Sequence, residues 1–285
     1  MRTLSKISVA VAAAVAVSLG ASACSAPSDV SAGDKKDDKN APLAVAASPV
    51  PHAVILDYIK KELAPKEGLK LDVRTFGDYT QPNRVTEDGE VDANFFQHKP
   101  FLDQYNKEHG SHIVPVVNVA IEPLGLYSKK IGKLSELKSG DTVSVPNDAS
   151  NEGRALKLLA DNGVITLKDG VGSAATLSDV KDAKGIKLTE LEAAQIAPRL
   201  DDVAAAVVNG NFAINAKLKP SKDALALEKA EGNPYANFLA VKKGNENDPR
   251  VKKLAKLLNS DEVKKFIQDK YGDGSVIPAF GPVKS

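Results

Sequence analysis

The sequence is poor in cysteine and shows no excess of either charge. Its 285 residues include one cysteine, Cys24, so no disulfide can form within the chain. Lys and Arg (38 residues) nearly balance Asp and Glu (37), whereas a nucleic-acid-binding protein usually carries a basic excess. A nucleic-acid partner is therefore not indicated. The 42% hydrophobic and 26% charged residues are typical of a globular protein and exclude a multispan membrane protein.

Motifs that would indicate an enzyme are also missing. The chain has no P-loop sequence, no Gly-x-Ser-x-Gly elbow and no cysteine after Cys24 that could act as a nucleophile. Its acidic residues are spread too evenly to single out a catalytic pair. The four histidines, none with the spacing of a metal-binding motif, are His52, His98, His109 and His112. We therefore expect no catalytic residue, no metal site and no cofactor.

The first 23 residues have the pattern of a signal peptide. Arg2 and Lys6 precede a run of 13 mostly apolar residues at 7–19, which is too short for the roughly 20 residues that span a bilayer. Small residues follow the run at 21–23, as expected before a cleavage site.

Cys24 follows that predicted cleavage site directly, and two interpretations remain open. The residue is either a stray free thiol after ordinary cleavage or the acceptor of a lipid in a bacterial lipoprotein. Residues 24–40 then contain mainly small and charged residues, which cannot bury enough apolar surface to offset their ordering entropy. We expect them to form a flexible tether.

From residue 41 onward, short apolar runs alternate with helical patterns, which indicates an α/β fold with mainly parallel sheets. About 245 residues of such alternation favour two domains, with a boundary near residues 122–125. The predicted strands lie at 42–47, 69–76, 113–121, 142–145, 203–208 and 237–241. The predicted helices lie at 52–63, 100–109, from about 150 to 162, and from 261 to about 271.

Aromatic residues are scarce, with six Tyr, eight Phe and no Trp, yet six of them fall within residues 76–105. They could simply fill a core. They are, however, interleaved with polar residues that are rarely buried, which favours the wall of a ligand pocket. The aromatic members are Phe76, Tyr79, Phe95, Phe96, Phe101 and Tyr105, and the polar ones are Asp78, Asn83, Asn94, Gln97 and His98.

The segment VPNDASNEGR at 145–154 predicts a strand end, a turn and the start of a helix. Backbone N–H groups are unpaired at such a start, and Arg154 would lie in the first turn. A guanidinium there can bind a carboxylate with paired, charge-assisted hydrogen bonds. Alternatively, Arg154 is a surface residue that pairs with Glu152 or Asp148.

Asn209, Gly210 and Asn211 directly follow the predicted strand at 203–208. Ligands bind at the carboxyl ends of strands in open α/β sheets, and asparagine can both donate and accept hydrogen bonds. The alternative is an ordinary turn, because Asn-Gly is a common turn dipeptide.

Taken together, these segments resemble the NlpA lipoprotein family, which includes the MetQ-like methionine-binding components of ABC importers. The likeness runs in order from about residue 42 to 280. It includes SPVPHA (48–53), DANFFQHKP (92–100), LYSKK (126–130), VPND (145–148), NEGR (151–154), ELEAAQ (190–195), NGN (209–211), PYAN (234–237) and VIPAF (276–280).

The resemblance implies an α/β, two-lobed fold of the periplasmic-binding-protein type, in which the chain crosses twice between the lobes. Lobe 1 would comprise residues 41–122 and 238–285, and lobe 2 residues 123–237. Carried onto matching positions, the family site places a thioether among Tyr79, Phe96, His98 and Phe101. Arg154 would bind the ligand carboxylate, while Asn209 and Asn237 would bind its α-amino and carboxylate groups.

The function so implied is that of a lipoprotein on the extracytoplasmic face of the cell membrane. It would capture L-methionine in the cleft and deliver it to the permease and ATPase of an ABC transporter. Cys24 would carry the lipid anchor. The alternatives are the same fold with D-methionine, a methionine dipeptide or another amino acid, and a surface adhesin or immunogenic lipoprotein.

Overall fold

The computed structural model describes residues 41–284, so the predicted signal peptide, Cys24 and the whole predicted tether lie outside the described residues. The strands are β1 (Leu43–Ala47), β2 (Leu71–Thr75), β3 (Ala93–His98), β4 (Ile113–Ile121), β5 (Gly125–Tyr127), β6 (Thr142–Pro146), β7 (Thr166–Leu167), β8 (Val180–Asp182), β9 (Lys187–Leu191), β10 (Ala205–Val208), β11 (Ala224–Leu227), β12 (Asn237–Lys242) and β13 (Ile277–Gly281). The α-helices are α1 (Val54–Tyr58), α2 (Gln81–Glu87), α3 (Lys99–His109), α4 (Ala149–Asp161), α5 (Ala193–Ile196), α6 (Gly210–Asn215), α7 (Pro220–Asp223), α8 (Pro249–Leu258) and α9 (Asp261–Lys270).

The strands form two large sheets, one in each of two lobes, and a small ribbon of β7 and β8. The sheet of the first lobe has the order β13-β4-β12-β3-β1-β2, and the sheet of the second has the order β11-β5-β10-β6-β9. Each lobe has its own apolar core. Leu43, Val45 and Phe95 are fully buried in the first, and Val143 and Leu156 are fully buried in the second. This arrangement confirms the predicted two-lobed α/β fold.

The prediction of mainly parallel sheets is wrong. Strand β1 is parallel to β2 and β3, and β6 is parallel to β9 and β10, but β12, β4 and β13 pair antiparallel, as do β10, β5 and β11. The antiparallel strands flank the passages between lobes. No helix connects β4 to β5 or β11 to β12, so these strands lack the crossover helix on which a parallel arrangement depends.

Two crossover segments join the lobes. The first crossover, residues 122–124, connects β4 to β5, and the second, residues 228–236, connects β11 to β12. Asn237, the first residue of β12, pairs with His98 and Ala120 in the sheet of the first lobe.

Several local signals lead to the expected elements. Ser260 caps α9 by accepting a hydrogen bond from the Val263 backbone N–H at 3.3 Å. Gly110 ends α3 at a left-handed φ of 62°, directly after the predicted helix at 100–109. The predicted helix at 52–63 is less regular than expected. It consists of α1 flanked by π-helical turns at Pro49–Ala53 and Ile59–Leu63.

Within residues 41–284, no helix combines the length and the apolar character that crossing a bilayer would require.

Candidate ligand-binding site

A small cavity lined mainly by buried residues, which we call the buried cavity, lies between the two lobes. It sits at the carboxyl ends of β3, β4 and β10, where an α/β sheet commonly binds its ligand. All seven residues implied by the family resemblance line it together. The lining consists of Tyr79, Phe96, Gln97, His98, Phe101, Glu122, Asn151, Arg154, Asn209, Gly210, Asn211 and Asn237.

Three rings form the apolar wall of the cavity. The centroids of Tyr79, Phe96 and Phe101 lie 5.7–6.0 Å from one another, so the rings touch in tilted and edge-on arrangements. We call these three residues the ring wall. Of the other aromatic residues at 76–105, Phe95 is fully buried in the core of the first lobe and Phe76 packs on a smaller apolar cluster. The aromatic run therefore serves both the core and the cavity.

The amide side chains interleaved with those aromatics form a hydrogen-bonded network beneath the wall. Asn83 and Gln97 exchange two hydrogen bonds, at 2.8 and 2.6 Å. Asn94 donates to Asn83 and to Thr86, at 3.1 and 2.9 Å, and accepts from Gln97 at 2.9 Å. All four side chains are almost completely buried, and among them only Gln97 reaches the cavity. We call these four residues the amide network; its role is structural support, which the sequence did not reveal.

Arg154 is buried at the junction of the two crossovers. Its Nε donates to Glu228 Oε1 at 2.9 Å, and its Nη2 donates to Glu228 Oε2 and to the Glu122 carbonyl oxygen. The Tyr235 ring centroid lies 4.1 Å from Cζ. Burial alone would raise the pKa of Glu228, but the hydrogen bonds from Arg154 hold it below its ordinary value, so the pair is ionised.

These contacts correct two expectations about Arg154. The residue lies in the second turn of α4 rather than the first, and its partner is Glu228 rather than Glu152 or Asp148. The start of α4 is also not an open anion site, because the Asp148 side chain accepts from the Asn151 backbone N–H at 2.9 Å. The Nη1 atom of Arg154 makes no hydrogen bond with any described residue, and the guanidinium lines the cavity.

Asn209 and Glu122 contribute buried oxygen atoms that lack a partner. Asn209 Oδ1 and Glu122 Oε1 make no hydrogen bond within residues 41–284, although both side chains are at least 95% buried. Glu122 Oε1 lies 3.0 Å from His52 Nε2, but out of line for a hydrogen bond. Buried polar atoms usually have partners, so these two oxygens are suited to receive donors from a ligand.

His98 is a neutral side chain at the end of β3. Burial, and to a lesser extent the Arg154 guanidinium, lower its pKa to about 3. Its Nδ1 accepts from the Phe101 backbone N–H at 3.3 Å, which assigns the proton to Nε2. Nε2 then donates to Asn151 Oδ1 at 3.1 Å, and the amide nitrogen of Asn151 donates in turn to Asp148.

Two hydrogen bonds close the lobes on each other. His98 in the first lobe donates to Asn151 in the second, and the Tyr79 hydroxyl donates to Asn211 Oδ1 at 2.5 Å. Burial, with further contributions from Glu122 and Asp148, raises the pKa of Tyr79 well above its ordinary value, so its hydroxyl keeps the proton it donates. The cavity is therefore enclosed by polar contacts at its edges.

Four residues of the lining were not predicted as site residues: Glu122, Asn151, Gly210 and Asn211. The only feature of the sequence that could have indicated Glu122 as a site residue is its position at the predicted domain boundary, where the cleft between two lobes lies. Gly210 allows α6 to approach the first crossover closely, because a Cβ on it would lie 2.6 Å from the Cβ of Glu122. Asn151 and Asn211 act across the cleft, through contacts that the sequence does not show.

No three His, Cys, Asp or Glu side chains lie close enough together to hold a metal ion in the described part of the chain.

The sequence matches the model of the NlpA lipoprotein family over residues 43–280. It is 41% identical over 225 residues to the D-methionine-binding lipoprotein MetQ of Escherichia coli strain K12. That alignment covers 78% of this chain and 83% of the relative.

Solved structures match over most of the fold. A nutrient binding protein from Burkholderia cenocepacia, solved bound to methionine, is 44% identical with a TM-score of 0.80, and the match covers 84% of this chain and all of that one. A periplasmic substrate-binding protein of an ABC transporter from Coxiella burnetii is 41% identical with a TM-score of 0.78, and the match covers 83% of this chain and all of that one.

Proposed function

The chain belongs to the NlpA lipoprotein family, and from this premise we propose that it captures methionine between its lobes and delivers it to an ABC importer. One observation carries the proposal. A single enclosed cavity combines a guanidinium, a carboxylate and unpartnered amide groups with a wall of three rings. This composition complements an amino acid with both charges at one end and an apolar side chain at the other.

The polar end of the cavity can satisfy both charges of an amino acid. Arg154 Nη1 is available to the ligand carboxylate, and the Asn237 side chain lies in the same lining. Glu122 Oε1 and Asn209 Oδ1 are available to the ammonium group. Because an unpaired buried charge is expensive, a zwitterion enters this closed site only where each charge finds a partner.

The ring wall favours a thioether over a polar side chain. Sulfur is polarizable and packs well near the edges of aromatic rings, with a typical stabilisation of about 0.3–1.5 kcal/mol. Phe101 has no hydroxyl, and the Tyr79 hydroxyl is already bonded to Asn211, so this hydroxyl has no proton left to donate to a polar ligand. No bond of the ligand is broken in this process.

Ligand binding would act on the hinge through Arg154. Its guanidinium contacts Glu122 in the first crossover and Glu228 and Tyr235 in the second. A ligand held between the lobes stabilises the closed form to the extent that it binds that form better than the open one. The importer would then recognise the closed pair of lobes.

We further propose that Cys24 carries the lipid anchor and that residues 24–40 link the lobes to the extracytoplasmic face of the cell membrane. The transporter permease and ATPase are the proposed partners. Intact-mass measurement of the membrane-extracted protein tests the anchor, because a Cys24→Ser variant should lack the added lipid mass and be released from the membrane.

Isothermal titration of the mature chain carrying Cys24→Ser tests the site. L-methionine should bind saturably, and Arg154→Ala should weaken binding by about 10- to 100-fold, because the charge-assisted hydrogen bond from Nη1 to the ligand carboxylate is lost. The matched control is Arg199→Ala in the same lobe, which removes an exposed guanidinium and should leave affinity unchanged. Unchanged affinity in a folded Arg154→Ala protein would show that the carboxylate site is wrong.

Ligand identity is decided by mass spectrometry of whatever co-purifies, followed by titration with D-methionine and a methionine dipeptide. D-methionine is a specific candidate because the Escherichia coli relative is a D-methionine-binding lipoprotein. A deletion strain that grows normally on limiting methionine would argue against delivery to an importer and for a surface role.

A further inference from the structure

A second cavity opens directly outside the ring wall. It is open to solvent, and both lobes line it. We call it the outer groove. Its first-lobe side is formed by Tyr79, Thr80 and α3, and its second-lobe side by residues 147–148 and the start of α5.

The ring wall is the partition between the two cavities. Tyr79 and Phe101 line both the buried cavity and the outer groove, and their centroids lie 5.7 Å apart. Both side chains are partly exposed. The partition is therefore one side chain thick, and rotation of Phe101 would join the two spaces.

The lining of the outer groove combines apolar and acidic residues. Its apolar members include Phe101 and Tyr105 of α3 and Ala193 and Ala194 of α5. The carboxylates in the lining are Glu108, Asp148 and Glu192, and no Lys or Arg lines the groove. Such a space suits an apolar or uncharged group and repels an anionic one.

We propose that the outer groove receives the substituent on the ligand's sulfur when that substituent is larger than methyl. The ligands of this protein are then S-substituted homocysteines with apolar or uncharged substituents, of which methionine is the smallest. This inference rests on the proposed function, because it needs the amino-acid end in the buried cavity and the sulfur against the ring wall.

The proposal predicts how the affinity changes as the substituent on the sulfur becomes longer. If the buried cavity had no outlet, each added methylene would have to be forced into a closed, well-packed space. If the substituent enters the outer groove, each methylene buried there strengthens binding by up to about fourfold and so offsets the displacement of Phe101.

The test is titration of the mature Cys24→Ser chain with L-methionine, S-propyl-homocysteine, S-butyl-homocysteine and S-carboxymethyl-homocysteine. We expect the propyl and butyl compounds to bind within about tenfold of methionine. The carboxymethyl compound should bind at least about tenfold more weakly than the propyl compound because of the groove carboxylates. Loss of more than about 100-fold for both alkyl compounds would overturn the proposal, as would equal affinity for the propyl and carboxymethyl compounds.

A variant that fills the outer groove tests whether the substituent on the sulfur binds there. Ala194→Trp should weaken S-butyl-homocysteine by about tenfold or more while changing methionine affinity by less than about twofold. Gln195→Trp is the matched control, since Gln195 is exposed and does not line the groove. If Ala194→Trp fails to fold, Gln104→Trp blocks the same groove from α3. Equal weakening of methionine and the butyl compound would place the substituent elsewhere and contradict the inference.

The two proposals fail in distinguishable ways. Tight binding of methionine with rejection of every larger substituent overturns the outer groove alone. Absence of methionine binding overturns the proposed function and, with it, the inference that depends on it.

Discussion

Two groups of buried amide side chains, the amide network and the pair Asn209 and Asn237, differ in how completely they are hydrogen-bonded. In the amide network, Asn83, Asn94 and Gln97 satisfy one another and Thr86. At the polar end of the cavity, Asn209 Oδ1 has no partner among the described residues, and the Asn237 side chain makes no hydrogen bond there. Residue type therefore does not distinguish the scaffold from the site, and what sets Asn209 apart is its unpaired buried oxygen.

The physical reason is the asymmetry of the buried hydrogen bond. A satisfied bond contributes only about 0.5–1.5 kcal/mol, but a buried group without a partner costs about 1–3 kcal/mol. A network whose members are all paired rigidifies the structure that carries it. A group left unpaired weakens the unliganded protein, and that loss is recovered when a ligand supplies the partner.

The largest expected effect is the loss of stability when a member of the amide network is removed. Asn94→Ala removes three hydrogen bonds and leaves Thr86 and Gln97 with fewer partners, so the free energy of unfolding should fall by about 2–4 kcal/mol. Urea denaturation measures it. Asn209→Ala is the comparison, since it removes an unpartnered oxygen and should change stability by less than about 1 kcal/mol. Equal losses in the two variants would remove the distinction between the groups.

The next effect concerns binding rather than stability. Asn209→Ala should weaken methionine binding by about 10- to 100-fold, because the ammonium group loses a charge-assisted hydrogen bond of about 1.5–3 kcal/mol. Titration calorimetry measures the change. Asn215→Ala, an exposed asparagine at the end of α6 outside the cavity lining, is a control that should bind like the parent. A normal affinity in Asn209→Ala would mean that its free oxygen does not face the ligand.

A third prediction follows from the lowered pKa of His98. Its pKa is about 3 in the folded protein against an ordinary 6.5, so below pH 6.5 the unfolded chain takes up a proton that the folded one does not. This contribution to stability is present above pH 6.5 and is lost as the pH falls. Between pH 7 and pH 5, the stability of the parent relative to His98→Gln should decline by about 1–2 kcal/mol in urea titrations. A difference independent of pH would contradict the buried, neutral His98.

The smallest expected effect concerns the contact across the cleft. Asn211→Ala removes the acceptor of the Tyr79 hydroxyl and should weaken methionine binding by about three- to tenfold, since one neutral hydrogen bond is lost. Tyr79→Phe removes the donor of the same bond, so the two changes together should weaken binding no further than the larger single change. Fully additive losses would show that the hydroxyl and the amide act separately.

The sequence predicted more of the cavity's membership than of its hydrogen bonding. The seven residues that the resemblance implies all line one cavity, and the predicted helices at 100–109 and from 261 end and begin where α3 ends and α9 begins. The resemblance to the family also led to the two-lobed fold. These features depend on short-range patterns or on whole-chain similarity.

What the sequence did not predict depends on pairings between distant residues. Arg154 and Glu228 are 74 positions apart, and Tyr79 and Asn211 are 132 apart. Asn83 and Asn94 lie outside the cavity lining, and the hydrogen bonds that pair them with each other and with Gln97 are invisible along the chain. The antiparallel strands were missed because alternation of strands and helices does not show where a segment passes from one sheet to another.

Gly210 has a wider consequence. A single carbon added at this position would overlap Glu122, so the start of α6 would have to retreat by a distance comparable to a bond length. The absence of a Cβ at position 210 therefore fixes the distance between α6 and Glu122 at the polar end of the cavity. The size of the residue at position 210 sets the distance between α6 and the first crossover. Redesign for bulkier amino-acid head groups would therefore begin with substitutions at this position.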